Sequence, residues 1–357
     1  LTSGTTGIGQ ESYGLTGRDV FVAGDTFAHA WTWAGVEKGD GVVITNPISF
    51  LAAGLAVAES ARQIPLVPVF GFSLDKKLIL SLMSRFEMRS IYAVPTVLVQ
   101  LQQLAEAEGY TRDDFKLKGI LTSIIAPPFS LIDEIQEFWG APVYDVYGCS
   151  QGSSAVAVSC EHSCTDGDRR YPTHFLENYF LCEVVDPETG IPVPDGEEGE
   201  LVLTTLQREA SPVVRFRMRD RVVHQPHSAC PCGRPYDGMI PGETGRYDDM
   251  LKIKGANVWP PAVDNVIFAH KEVDEYRSRV VLTEDGHEEL VMQLAFKPGC
   301  GLDPSQREAL VKQLTTEIKA VTLVTPRMTE VPELGHFDFK PQRWADERAK
   351  GLQKMVW

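Results

Sequence analysis

A strand–helix–strand pattern near the start of this chain constrains its fold more than any other feature. Residues 42–45 and 64–69 are short apolar runs of the length of buried strands, and the Ala-rich stretch 50–62 between them reads as a helix. That order predicts a βαβ unit and an α/β domain. Residues 78–88 and 96–107 read as further helices and 120–125 as another strand. Residues 180–186 and 200–206 read as two strands around the Pro/Gly-containing turn 187–199, which predicts an antiparallel hairpin. Beyond residues 247–249 the pattern changes to helix 263–269, strands 276–282 and 288–296, helix 304–320 and strand 322–324, a compact α+β unit.

At 357 residues, two domains are expected, 1–248 and 249–357. No apolar run of 18 residues is present, so no membrane span is expected, and the polar, glycine-rich opening does not read as a secretory signal. A cytoplasmic location is the expectation. The net charge of −15 argues against a general nucleic-acid binder, which needs a basic face. An acidic protein still holds a nucleotide through a few local cations.

Residues 1–7 read Leu-Thr-Ser-Gly-Thr-Thr-Gly. From Ser3 to Gly7, three hydroxyls and the glycines Gly4 and Gly7 form a loop rich in donors for phosphate oxygens. No Gly-Lys-Ser/Thr closes it, so it is not the usual P-loop. A solvated terminus has the same composition. Three later segments weigh against that bland reading: Tyr147-Gly148-Cys149-Ser150-Gln151, then 215–220 ending in Arg219-Asp220, then 245–255 from Gly245-Arg246 to Lys254-Gly255.

In order and spacing these motifs resemble the adenylate-forming superfamily of acyl-CoA synthetases. Val-Asp-Pro-Glu-Thr-Gly at 185–190 and Gly-Glu-Leu-Val-Leu-Thr-Thr at 199–205 are similar to its phenylacetate–CoA ligase branch, and the resemblance spans Ser3 to about Arg348. It implies a large amino-terminal α/β domain with sheets and a distorted β-barrel, and a small mobile α+β domain. The family carries a sizeable segment before the hydroxyl loop, so here that segment is expected to be missing, cleaved or carried elsewhere.

The resemblance also assigns roles. Ser3, Gly4, Thr5, Thr6 and Gly7 would hold the β- and γ-phosphates of ATP, with Ile8 where many relatives have Lys. Tyr147 and Gly148 would lie beside adenine and Ser150 would touch phosphate. Gln151 replaces the family's Mg²⁺-binding Glu with a neutral, weaker ligand. Asp220 would accept hydrogen bonds from both ribose hydroxyls, with Arg246 downstream; a surface ion pair with Arg217 or Arg219 is the plainer alternative. Asp249 would be the hinge, and Lys254 and Gly255 would line the approach of coenzyme A. Lys340, within the segment 337–344 and preceded by Phe339 instead of the common Gly, would bridge the carboxylate and the α-phosphate. Phe50, Gly54, Tyr92, Pro95, Ala126 and Phe129 would form a flat apolar acyl pocket, with Pro127 in place of the branch's Glu. Core packing suits each of these six singly as well.

Seven cysteines show no secretory framework. The Cys230-Pro231-Cys232 pair and the upstream Cys160, His162, Cys164 and His174 are able to supply a tetrahedral zinc site. Free thiols or a disulfide are the alternatives, the latter disfavoured in the cytosol. Related ligases of the branch carry a Cys…His…Cys-x-Cys set, which selects His174, Cys230, Cys232 and Cys160, with Cys164 as alternate. The function implied is ATP-dependent conversion of an aromatic or arylacetic acid to an acyl-adenylate, then transfer to coenzyme A, with Mg²⁺ and structural zinc; a homodimer is compatible with it. The substitutions at Ile8, Pro127 and Gln151 keep two alternatives open, an amide ligase or condensing enzyme with an amine acceptor and a nucleotide-binding homologue without catalysis.

Overall fold

The computed structural model of the chain describes residues 12–47, 52–123, 129–162, 165–166, 169–240, 245–283, 286–335 and 342–348. It divides into two compact units, one of residues 1–127 and 132–244 and the other of residues 128–131 and 245–357.

The first unit is built on one large sheet that changes character midway. Strands Val67–Phe70, Gly41–Ile44, Ser90–Tyr92, Gly119–Thr122 and Val143–Gly148 lie side by side in that order, each parallel to the next. Helices Ala52–Gln63, Lys76–Arg85, Pro95–Ala107 and Phe129–Trp139 make the crossovers. Ser90–Tyr92 and Gly119–Thr122 are buried at every residue, as parallel strands covered on both faces must be. The expected strand over 64–69 is shorter and later, because Ile64 still completes the helix before it, its N–H donating to the Ser60 carbonyl at 3.0 Å.

Past Val143–Gly148 the strands alternate in direction. Ala155–Ser159, Thr173–Phe175, Gly238–Met239, Phe216–Gln225, Glu198–Thr205 and Phe180–Val185 extend the sheet in that order, each antiparallel to its neighbour. Among the described residues these strands do not close on themselves. The implied distorted barrel is therefore an open sheet, because each strand finds its next partner further out along the same sheet. The Val-Asp-Pro-Glu-Thr-Gly segment is the turn after Phe180–Val185. Asp186 Oδ1 accepts the N–H groups of Glu188 (3.0 Å) and Thr189 (2.7 Å), and Gly190 supplies a φ of +70°.

A long helix, Gly17–Trp33, lies before all of this and was not anticipated by the strand and helix patterns above. Thr16 and Asp19 close a capping box at its start. Its Phe27 and Trp31 enter the core with Val42, Ile44, Tyr92, Leu121, Val156 and Phe175, and Trp31 Nε1 donates to Ser60 Oγ at 3.0 Å. Asp19 is buried and does more than cap. Its oxygens accept from Thr16 N (2.8 Å), Glu209 N (2.8 Å) and Ala210 N (3.0 Å), stitching the helix start to the loop after Glu198–Thr205.

The second unit is a four-stranded sheet in the order Arg327–Glu330, Glu288–Phe296, Val273–Leu282, Trp344–Asp346. Helices Pro260–Phe268 and Pro304–Thr322 supply Val263, Ile267, Leu314 and Ile318 to a core with Tyr276, Val280, Leu290 and Leu294. The expected strand 322–324 is not formed. The helix runs through Thr322, Leu323 stops it at φ +61°, and the strand is Arg327–Glu330. The edge strand Trp344–Asp346 is held from inside. Arg343 meets Glu275 through two hydrogen bonds (2.6 and 3.2 Å) and lies over the ring of Phe268 (4.7 Å to its centroid), while Trp344 Nε1 donates to Tyr276 Oη (3.0 Å). Among the described residues no helix is long and apolar enough to cross a membrane.

Burial raises the pKa of the Asp19 carboxyl, but the backbone hydrogen bonds from Thr16, Glu209 and Ala210 outweigh it and leave the value below the ordinary 3.8. A depressed carboxylate stabilises the fold above its unfolded pKa, and that stability is lost as pH falls through the folded value. Asp19→Ala strands several buried N–H groups and is expected to cost about 2 kcal/mol at neutral pH. In urea melts the gap between parent and variant should narrow below about pH 4; a gap that stays constant into acid contradicts this role.

Candidate functional site

Tyr147 is the penultimate residue of the last parallel strand, Val143–Gly148, at its carboxyl end. The carboxyl ends of parallel strands are where open α/β sheets present ligand-binding groups. The chain reverses at this point through a turn into Ala155–Ser159, with the register shifting between Tyr147 and Gly148. A Cβ on Gly148 would lie 2.6 Å from the carbonyl oxygen of Ser154, so only glycine lets the two backbones approach this closely.

Tyr147 and Asp220 are both buried, and the Tyr147 hydroxyl donates to Asp220 Oδ2 at 2.5 Å. Asp220 comes from the distant strand Phe216–Gln225. Burial, and next the adjacent Asp220 charge, push the Tyr147 pKa well above its ordinary value, so the phenol stays protonated and a donor. The result is a buried carboxylate beside a phenol, at the seam between the parallel and antiparallel halves.

The turn after Gly148 is held internally. Gly152 N–H donates to Cys149 Sγ (3.2 Å), Ser153 N–H donates to the Ser150 carbonyl (3.2 Å), and Ser153 takes a φ of +68°. Arg208 donates to the Gln151 carbonyl and to that of Ala210 (2.7 Å). Burial pushes the Cys149 thiol up to about 12, so it is an inert packing group at neutral pH.

A second cluster brings together Cys160, His174, Cys230 and Cys232, whose ligand atoms all lie within 4.8 Å of one another. Cys160 and Cys230 sulfurs are 3.6 Å apart, and Cys232 Sγ is 3.4 Å from His174 Nε2. A tetrahedral zinc with Zn–S near 2.3 Å and Zn–N near 2.0 Å has ligand–ligand edges of roughly 3.5–3.8 Å, so the donor set fits the ion. His174 is fully buried, and its Nδ1 faces the Tyr236 carbonyl at 2.9 Å. A carbonyl only accepts, so the proton sits on Nδ1 and the Nε2 lone pair is directed at the sulfurs. Burial lowers the His174 pKa and keeps the ring neutral. Burial also raises the thiols of Cys160 and Cys230. Cys232 is lowered in spite of its burial, by the N–H and charge of Arg234.

Several residues around these clusters have no signature in the sequence. Arg234 lies over the Trp33 ring at 4.3 Å and pairs with Glu161, and Trp33 stacks on Tyr236 with centroids 6.3 Å apart. Trp33 ends the unanticipated first helix, so only an amphipathic reading of residues 17–33 would have found it. Arg208 belongs to the loop stitched by Asp19.

Other expected site residues are placed as follows. Tyr92 is a core residue, edge-on to Phe27 (4.9 Å), with its hydroxyl donating to Ser123 Oγ (2.8 Å). Pro95 opens a helix, and Gly54 lies within Ala52–Gln63. Arg246 precedes the 3-10 turn Tyr247–Asp249, which contains the expected hinge residue. Lys254 (φ +51°) and Gly255 (φ +82°) form the two-residue turn between Leu251–Ile253 and Ala256–Val258, the left-handed pair that such hairpins require. Ser3, Gly4, Thr5, Thr6, Gly7, Ile8, Phe50, Ala126, Pro127, Cys164, Phe339 and Lys340, with the side chain of Phe129, lie outside the described residues.

The chain matches the family described as AMP-binding enzyme over residues 1–207. It is 31% identical over 325 residues to a phenylacetate-coenzyme A ligase of Pseudomonas putida, covering 89% of this chain and 70% of that protein. A phenylacetate-coenzyme A ligase of Aromatoleum evansii is also 31% identical, with 92% and 72% covered. Among solved structures, a 2-hydroxyisobutyryl-CoA ligase in the postadenylation state with 2-HIB-AMP superposes with a TM-score of 0.83 at 22% identity, covering 94% of this chain and 71% of that one.

Gly148→Ala tests the close approach at the seam. The added methyl meets backbone, which moves less readily than a side chain, so a loss of about 1–3 kcal/mol is expected. Denaturant melts measure it, and a variant as stable as the parent would show that the two strands have room to part.

Proposed function

We propose a reaction for this chain from one established premise: it belongs to the AMP-binding enzyme family, in the phenylacetate–coenzyme A ligase-like branch of the adenylate-forming enzymes. The proposed reaction is that of an ATP-dependent acid–thiol ligase acting on an aromatic or arylacetic acid. The observation that carries it is the buried Tyr147–Asp220 pair at the carboxyl end of the last parallel strand. It supports a nucleotide site because a buried carboxylate is a strong acceptor for ribose hydroxyls.

In the first step a carboxylate oxygen attacks the α-phosphorus of ATP, which enters as its magnesium complex, and pyrophosphate leaves. In the second the thiol of coenzyme A attacks the acyl carbonyl and AMP leaves. Neither step needs an enzyme nucleophile, so the protein contributes alignment and charge. Asp220 holds the ribose, Tyr147 lies beside the adenine, and the hydroxyls from Ser3 to Thr6 hold the outgoing phosphates. Lys340 bridges the carboxylate and the α-phosphate. The 3-10 turn containing Asp249 is the proposed hinge for the second unit, and the Lys254–Gly255 turn the proposed lining for the thiol. The proposed aromatic class of acid is supported by the named activity of the relatives at 31% identity.

Pyrophosphate release across a panel of aryl, arylacetic and short aliphatic acids, with and without coenzyme A, tests the reading. Release that depends on an aryl or arylacetic acid, with thioester formed when coenzyme A is added, is expected. Absence of acid-dependent release would leave a nucleotide-binding protein, and an adenylate consumed only by amines would make it an amide ligase.

The Cys160, His174, Cys230 and Cys232 set is the proposed holder of one structural zinc ion, tying the end of Ala155–Ser159 to the turn after Phe216–Gln225. The ion would supply cross-linking and no chemistry to the acyl transfer. Purified protein is expected to carry about one zinc per chain, and Cys232→Ser to lose metal and melt at lower temperature. Elemental analysis and thermal melts read this out. A parent without metal would end the proposal, and loss of turnover in a metal-free but fully folded protein would make the site catalytic.

A further inference from the structure

Asp220 reaches Tyr147 from a strand whose backbone is irregular beside it. Opposite Phe216–Gln225, Arg217 pairs with Val202 and Arg221 with Glu200, so the residues 218–220 face Leu201 alone. Within this bulge Arg219, directly before Asp220, holds a φ of +61°, a left-handed conformation that a long side chain adopts only where its surroundings impose it.

Glu200 supplies those surroundings. It is fully buried on the neighbouring strand Glu198–Thr205. Its Oε1 accepts the backbone N–H of Arg219 at 3.2 Å, and its Oε2 accepts Nε of Arg217 at 2.9 Å and Arg217 Nη2. Arg217 Nη2 also donates to the Pro187 carbonyl at 2.7 Å, so the far side of the bridge is fixed too. One buried carboxylate thus accepts the N–H of a bulge residue that has no partner in the register with Glu198–Thr205 and grips the arginine on its other side.

We propose that Glu200 is a positioning residue for nucleotide recognition: it fixes the bulge at Arg219 so that the Asp220 carboxylate is aimed at the ribose hydroxyls. This rests on the reading of Asp220 as the ribose acceptor. Glu200 touches no ligand; it acts through one N–H and the backbone torsion next to the acceptor. A merely structural Glu200 would affect stability and the binding of all nucleotides alike. A positioning Glu200 affects the contribution of the two hydroxyls alone.

Calorimetric titration of the intact protein with AMP and with 2′,3′-dideoxy-AMP separates these cases. Glu200→Gln puts an amide N–H₂ among donors, and Glu200→Asp keeps the charge but draws the acceptor back by about 1.5 Å. Both should weaken AMP about tenfold, as expected when a hydrogen bond to a charged group is misaligned, and leave dideoxy-AMP as in the parent. Asp220→Ala is the reference and should do the same. If Asp220→Ala loses the preference while both Glu200 variants keep it, or weaken both nucleotides equally, the positioning role is wrong. If Asp220→Ala itself leaves the preference intact, the ribose reading falls and the proposal with it. A further pair keeps the question answerable should the Glu200 variants fail to fold. Arg219→Gly adopts the left-handed torsion freely and should keep the preference, whereas Arg219→Val resists it and should lose it. The reverse pattern would overturn the proposal.

Discussion

The reversal of strand direction at Gly148 is the constraint on which the rest of the first unit depends. Five strands run parallel up to that residue, and the strands from Ala155–Ser159 to Phe180–Val185 that extend the same sheet are each antiparallel to the next. Parallel strands deliver their carboxyl ends to one edge of the sheet, and the reversal then carries the chain back past that edge. A tyrosine from the parallel half and an aspartate from the antiparallel half meet in a buried hydrogen bond, and directly after the tyrosine the absence of a side chain at position 148 lets the chain fold back against Ser154.

Three buried carboxylates recur as internal fasteners. Asp19 serves backbone N–H groups of a helix start and a loop. Glu200 serves one backbone N–H and the guanidinium of Arg217, with that of Arg219 at 3.9 Å. Glu275 serves the backbone N–H of Tyr276 and the guanidinium of Arg343, with that of Arg277 at 3.6 Å, beside the rings of Phe268 and Tyr276. A buried carboxylate is unfavourable unless its oxygens are occupied by donors, and in each case they are. All three are linked to segments assigned a role: Glu200 to Asp220 through the bulge, Glu275 through Arg343 to the stretch after Lys340, and Asp19 to the loop whose Arg208 grips Gln151.

The sequence made much of this legible, for identifiable reasons. The apolar runs at Gly41–Ile44 and Gly119–Thr122 reveal themselves because both faces are covered, so alternation is absent and hydrophobicity is continuous, whereas Ser90–Tyr92 is too short to stand out as a run. The Cys-x-Cys pair is legible because few residue types make a soft tetrahedral site. The helix Gly17–Trp33 was hidden by its interior: its Gly, Thr and His are poor helix formers, and packing rather than propensity holds it. The last helix runs two residues past the expected end at 320, and the strand expected at 322–324 forms at Arg327–Glu330 instead, because the stop comes from Leu323 in a left-handed conformation, where glycine is the usual signal. Glu200 and Arg234 were invisible as participants, since a buried acid or an arginine beside a cysteine carries meaning only once its neighbours in space are known.

The two clusters share a property of the chain's contour. Tyr147 and its partner Asp220 are separated by 73 residues, Cys160 and Cys230 by 70, and His174 and Cys232 by 58. Contacts of such long sequence separation form only after large loops have closed, which slows folding relative to chains with local contacts. On a ribosome, the parallel half has left the exit tunnel and is able to pack long before Phe216–Gln225 has been synthesised. Neither the phenol–carboxylate pair nor the sulfur–imidazole cluster exists during that interval, and the unpaired edge of Ala155–Ser159 waits for Thr173–Phe175, itself completed by Gly238–Met239. A nascent chain of this protein is therefore compact early and competent late, and the open strand edge in between is the stage most exposed to misassembly.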